Sequence, residues 1–180
     1  MLHKPMKQQL IITILGADDL GILSGLAAAV SEAGCNILDS RQAIYGQDFC
    51  LTMIVEGTIP AIIKAEVLLP KVCQELNLLS LLKRTQHHCR QDLAHLADVE
   101  FTGLDAPGVL KQITGFFAKH NITINAFRQN TFVDKLTEAN MLKCKMIVNL
   151  PKDVAAENLQ QAFDDLLDEL HLIGNITEKN

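Results

Sequence analysis

The chain repeats itself. Gly16-Ala17-Asp18-Asp19-Leu20-Gly21-Ile22-Leu23 returns as Gly103-Leu104-Asp105-Ala106-Pro107-Gly108-Val109-Leu110, an offset of 87 residues. The register then holds without a gap: Gly34-Cys35-Asn36-Ile37 falls on Asn121-Ile122-Thr123-Ile124, and Arg41-Gln42 falls on Arg128-Gln129. Farther on, Met53-Ile54-Val55 matches Met146-Ile147-Val148 at an offset of 93, so the second copy carries six extra residues between. Glu75-Leu76 matches Glu169-Leu170 near the end of each copy. The 180 residues therefore hold one fold unit twice rather than a single large core.

Inside each copy the hydrophobic period changes in the same order. Leu10 to Leu15 is a short apolar run rich in Ile, the pattern of a buried strand. After the Asp-x-x-Gly turn, Ile22, Leu23, Leu26, Val30 and Ala33 share one helical face, matched by Val109, Leu110, Ile113, Phe116 and Phe117. Gly34 and Asn121 follow these helices, the two residue types that best tolerate a left-handed C′ position. Extended segments are expected over 36–45 and 48–56, joined by a tight turn at Gly46-Gln47. Their counterparts are 122–131 and 141–150, joined by a longer polar loop. A second helix is expected over 59–76, kinked or split at Pro70, and its counterpart starts after Pro151 with Asp153 as N-cap. Strands over 78–83 and, more weakly, 172–177 close the two copies.

That order is β-α-β-β-α-β, twice. It is an α+β, ferredoxin-like arrangement, two antiparallel sheets with helices on one face of each. The expected domains are 1–86 and 97–180, with a linker over 87–96. The linker holds His87, His88, Cys89 and His95, which read as a polar connection. Adjacent histidines rarely aim both rings at one ion, and no second spaced Cys/His pair accompanies them. No metal site is expected.

Composition narrows the function. The chain is 48% hydrophobic and 21% charged, apolar enough to bury a core and so not disordered. Its net charge is −5, balanced over residues 1–90 and concentrated as −5 in residues 91–180. Aromatic residues are only 4%. A protein that grips nucleic acid unaided needs a basic surface and a reading motif, and neither is present, so direct nucleic-acid binding is not expected. Neither a signal peptide nor a spanning helix is expected from the N-terminal run, nor any membrane partner. Five cysteines with no C-x-x-C spacing read as reduced thiols of a cytoplasmic protein. No nucleophile–base pairing or phosphate loop stands out, so the chain reads as a non-enzyme without cofactors.

The repeated turn is the candidate site. Gly21 and Gly108 allow a close backbone turn, and the amides of Ile22, Leu23, Val109 and Leu110 open the helices. Such amides, with the positive end of the helix dipole, favour a carboxylate. An ammonium group would look for oxygens, and Asp18, Asn36 and Asp39 are expected to supply them if the first two strands are neighbours. The other reading of Asp18 and Asp105 is structural: an N-cap and a tight turn. Arg41 and Arg128 recur as well, and read as a solvated strand face or a salt bridge between sheets. Open sheet edges favour a homo-oligomer, through the two copies side by side or through a second chain.

Two such units with this turn resemble tandem ACT domains, the small-molecule sensors of amino-acid metabolism. In the first copy Leu15-Gly16-Ala17-Asp18, Gly34-Cys35-Asn36-Ile37-Leu38-Asp39-Ser40-Arg41, Gly46, Phe49 and Leu82-Lys83-Arg84-Thr85 resemble the glycine cleavage repressor family. One departure is Asp18-Asp19-Leu20-Gly21, where that family favours Arg-Pro before the glycine; the second turn keeps Pro107. The resemblance implies ligand contacts at Asp18, Asp19, Gly21, Ile22, Leu23, Asn36, Ile37 and Asp39, and at Asp105, Gly108, Val109, Leu110 and Thr123. It further implies a regulator of transcription responsive to a small amino acid, glycine first. That regulator would act through a DNA-bound LysR-type activator rather than on DNA. The alternative is an ACT accessory subunit that regulates an enzyme of amino-acid or one-carbon metabolism.

Overall fold

The computed structural model describes residues 7–85 and 95–179. The chain divides into two compact units, residues 1–89 and 90–180. The first runs β1 (Lys7–Ala17), α1 (Ile22–Glu32), β2 (Asn36–Tyr45), β3 (Asp48–Thr58), α2 (Ile59–Glu75) and β4 (Leu79–Thr85). The second runs β5 (Leu96–Leu104), α3 (Val109–Lys119), β6 (Thr123–Val133), β7 (Asn140–Asn149), α4 (Ala156–Glu169) and β8 (Leu172–Glu178). Of the expected linker 87–96, Leu96 is the first residue of β5. His87, His88 and Cys89 lie outside the described residues.

Each unit is a four-stranded antiparallel sheet, ordered β2-β3-β1-β4 in the first and β6-β7-β5-β8 in the second. The expectation that the first two strands are neighbours is corrected here: β3 lies between β1 and β2. The helix α1 carries the chain from β1 over to β2, leaving room for one strand between two parallel ones, and the hairpin return of β3 fills it.

Alternation along the strands sets the core. Leu10, Ile12 and Ile14 of β1 and Phe49, Leu51, Met53 and Val55 of β3 face the helices and are buried. They meet Ile22, Leu26, Ala29 and Val30 of α1 and Ile62, Ala65, Leu69 and Cys73 of α2. In the second unit Val99, Phe101, Cys144, Met146 and Val148 meet Ile113, Phe117, Phe163 and Leu167. Phe117 and Phe163 stack with centroids 5.7 Å apart, and Phe116 packs against both. Leu23, expected in the inner stripe, is instead exposed.

Helix ends follow one rule. Gly34, Asn77, Asn121 and His171, one just past each helix, all have positive φ. Behind them Cys35 N donates to Val30 O, Leu78 N to Cys73 O and Ile122 N to Phe117 O, satisfying carbonyls of the last turn. Two expectations are corrected. The helix α2 continues past Pro70 to Glu75 rather than splitting there. Asp153 does not cap α4: the helix begins after Ala155, and Ala156 N donates to Glu178 Oε1 of β8 at 3.0 Å. The strand β8 is as long as β4, seven residues each.

Candidate functional site

The β1–α1 turn is built by a glycine. Gly21 is the N-cap of α1 at φ 86°, and no side chain caps the helix. Gly108 repeats this at φ 91° before α3. A Cβ at either would meet nothing within 4 Å, so the need for glycine is conformational rather than steric. This corrects the capping half of the structural reading of Asp18 and Asp105, since neither caps its helix, while the tight turn itself is present. At the turn Ile22 N reaches Asp19 O only at 3.4 Å, and the first good helical bond is Gly25 N to Gly21 O at 2.9 Å. The amides of Leu23 and Ser24 are left facing outward with the positive end of the dipole.

Asp18 is fixed at the other side of the turn, because its amide donates to Gln47 O of the β2–β3 hairpin at 2.9 Å. The result is a depression of about 580 Å³ lined by Asp18, Asp19, Gly21, Ile22, Leu23, Ser24, Ala27, Gln42 and Phe49, with Leu20 at its mouth. Five residues expected from sequence thus come together: Asp18, Asp19, Gly21, Ile22 and Leu23. Chemically the hollow offers amide donors, two carboxylates, a side-chain amide and an apolar floor. That donor set suits a small zwitterion, with its carboxylate at the helix start and its ammonium toward Asp18 and Asp19.

Asn36, Ile37 and Asp39 are elsewhere. Asn36 is opposite Glu56 on β3, whereas Ala17, just before Asp18, is opposite Asp48. Eight β3 positions separate these rows, roughly 27 Å along the sheet. Within one unit the start of β2 and the β1–α1 turn therefore sit at opposite ends. The second copy repeats the separation: Thr123 is opposite Asn149, while Asp105 N donates to Asn140 O at the far end of β7.

The two turns differ in detail. The Asp105 carboxylate accepts from Thr131 Oγ1 at 3.4 Å, and Pro107 replaces the exposed Leu20. Arg41 and Arg128 point away from both turns, onto the sheet faces the helices leave open. Arg41 lies 3.6 Å from the Asp39 carboxylate, and Arg128 neighbours Lys145 across the strands. Arg41 therefore makes a local ion pair along its own strand.

Sequence reasoning missed Leu20, Ser24, Ala27, Gln42 and Phe49 as lining residues. Gln42 was legible, because it recurs with Gln129 in the same register as the turns. Ser24 and Ala27 follow from helix geometry once Gly21 is known to be the cap. Among the described residues there is no cluster of three or more His, Cys, Asp or Glu that could hold a metal ion. No described helix is long and apolar enough to cross a membrane.

Comparison with known proteins places these features. Residues 8–82 and residues 97–166 each match a family model described as an ACT domain. The chain is 34% identical over 171 residues to the "Glycine cleavage system transcriptional repressor" of Escherichia coli (strain K12), covering 95% of this chain and 90% of that protein. The protein of the same name from Shigella flexneri matches equally. Among solved structures, a "putative glycine cleavage system transcriptional repressor" superposes with a TM-score of 0.77 at 30% identity, covering 97% of this chain and 99% of that one. An unknown protein from Galdieria sulphuraria reaches 0.76 at 18% identity over 97% of this chain and all of that one, which speaks for the fold alone.

Proposed function

This chain belongs to the tandem ACT-domain family of the glycine cleavage system transcriptional repressor, and from that membership we propose that it senses a small amino acid, glycine first, and regulates glycine cleavage through contact with a DNA-bound activator of the LysR type. The observation that carries this reading is near-full-length identity to the repressor, combined with a β1–α1 hollow whose donors suit a zwitterion.

In the mechanism, the outward amides of Leu23 and Ser24 take the ligand carboxylate, and Asp18 and Asp19 take its ammonium. Gln42 adds a polar contact from β2, and Ile22 and Phe49 exclude water from the floor. Asn36 and Asp39 take no part in this hollow, because their own turn is a sheet length away. Occupancy of the hollow would favour one conformation of the chain over another, and that differential is what the partner reads.

Charge supports the indirect route. The first half of the chain is neutral and the second carries −5, so no net positive charge offsets the repulsion of a phosphate backbone. A mobility-shift experiment tests this. The purified chain alone should leave operator DNA unshifted at physiological salt, and should super-shift or release DNA already bound by the activator. A shift by the chain alone would sink the indirect route. Recovery of a metabolic enzyme instead of a transcription factor in a pull-down would favour an enzyme-regulating subunit.

A further inference from the structure

The helices cover one face of the first sheet, and the other face carries exposed apolar side chains toward β1 and β4. The pairing registers place its outward side chains in rows across the strands. Leu79, Leu15, Cys50 and Ala43 form one row; Leu81, Thr13, Thr52 and Arg41 the next; Lys83, Ile11, Ile54 and Asp39 the third. Leu15, Leu79 and Leu81 are 43%, 71% and 72% exposed. The equivalent face of the second sheet is polar at its middle, where Asn175, Glu100, Lys145 and Arg128 form one row and Ile173, Thr102, Lys143 and Asn130 another, and apolar at one end, where Leu104, Met141 and Phe132 form a third. The apolar rows of the two units thus lie at different levels of their sheets, and a contiguous exposed patch of the kind the first unit carries marks an interaction surface.

We propose that this face binds a second copy of the chain, two first units packing sheet to sheet about a two-fold axis that runs along the strands. Such an axis lays β4 of one copy over β2 of the other and keeps each row at its own level. The third row carries a cation at one edge and an anion at the other. Lys83, on β4, forms no ion pair within its own unit among the described residues, and Asp39, on β2, is matched only by Arg41 at 3.6 Å. The two-fold brings Lys83 of each copy opposite Asp39 of the other, so one contact forms twice. Aligned sheets cross at about 30°, which displaces an edge strand by roughly 4 Å, within reach of a lysine side chain.

The apolar contact would be made by Leu15, Leu79, Ile11 and Ile54 around the central Thr13–Thr52 pair, with Leu81 on the edge strand set against Arg41 of the other copy and a charged rim at Lys83, Asp39 and Arg41. Four strands about 4.8 Å apart and roughly 30 Å long give about 600 Å² per copy, or roughly 1,200 Å² in all. That is the lower end of what a stable dimer buries.

Sedimentation of the full chain tests the proposal. A reversible dimer is expected, and Leu81→Arg should weaken it by roughly 100-fold or more, since it sets a second cation against Arg41 of the other copy. Lys83→Asp and Asp39→Lys should each weaken it about 10-fold, and the two combined should return it to near the original affinity. Both positions lie at the surface, so the exchange is readable even if the Leu81 variant folds poorly. A chain that stays monomeric at ~100 μM, a dimer indifferent to Leu81→Arg, or a double variant no tighter than the singles would each overturn this interface.

Discussion

Replacing Gly21 by alanine isolates what the turn requires. At φ 86° the residue occupies the left-handed region, and a Cβ there meets nothing within 4 Å. Steric collision therefore contributes nothing, and the cost is the left-handed conformation itself, about 1–2 kcal/mol for alanine. Asparagine tolerates that region better, so Gly21→Asn should cost about half as much. For a unit of this size a urea slope near 1 kcal/mol per M turns the alanine cost into a fall in midpoint of roughly 1–2 M. The chain supplies its own probe. Tyr45 is its single tyrosine, there is no tryptophan, and Tyr45 ends β2 in the same unit as Gly21. Tyrosine fluorescence during urea unfolding thus reports on the first unit. A Gly21→Ala midpoint within ~0.2 M of the parent, or an asparagine variant as costly as alanine, would refute the left-handed cap as the reason for glycine.

Acid and thiol chemistry supply further checks. Arg84 Nε and Nη2 both donate to the Glu66 carboxylate at 2.7 Å, tying β4 to α2, and this bonding holds Glu66 below its ordinary value of 4.5. A carboxyl depressed in the folded state stabilises above its unfolded pKa. The contribution should fade as pH falls from about 4.5 through the lower folded value, and Glu66→Gln should remove that part of the acid sensitivity in a pH series of urea midpoints. Burial pushes the Cys144 thiol up to about 11, and the buried Cys73 thiol is raised too. In native protein at pH 8 both should resist a thiol reagent that labels them promptly once urea unfolds the chain; prompt native labelling of Cys144 would contradict its burial.

Much of the fold was legible because it is local and repeated. The 87-residue offset gave the unit, the switch from alternation to helical period gave the elements, and Gly34 and Asn121 gave the ends of their helices. What escaped depends on distant chain. Glu178, from the last strand, takes the capping role that Asp153 was expected to play, and no local pattern announces a partner 22 residues away. Leu23 lines the open hollow at the start of α1, so its place in the stripe did not bury it. Pro70 interrupts one backbone bond, yet Leu69 and Cys73 on either side are fully buried, and their packing carries α2 through. The same division holds at the site. The turn residues adjacent in sequence came together, while Asn36 and Asp39 did not, because α1 returns the chain to the opposite end of the sheet before β2 begins.

The central claim is that the β1–α1 turn receives a free amino acid, and calorimetric titration of the full chain with glycine tests it most directly. The account predicts saturable binding that Asp18→Ala weakens by roughly 10-fold or more, the loss of one charge-assisted contact. Failure of glycine and every other amino acid to bind, or binding untouched by Asp18→Ala, would contradict it.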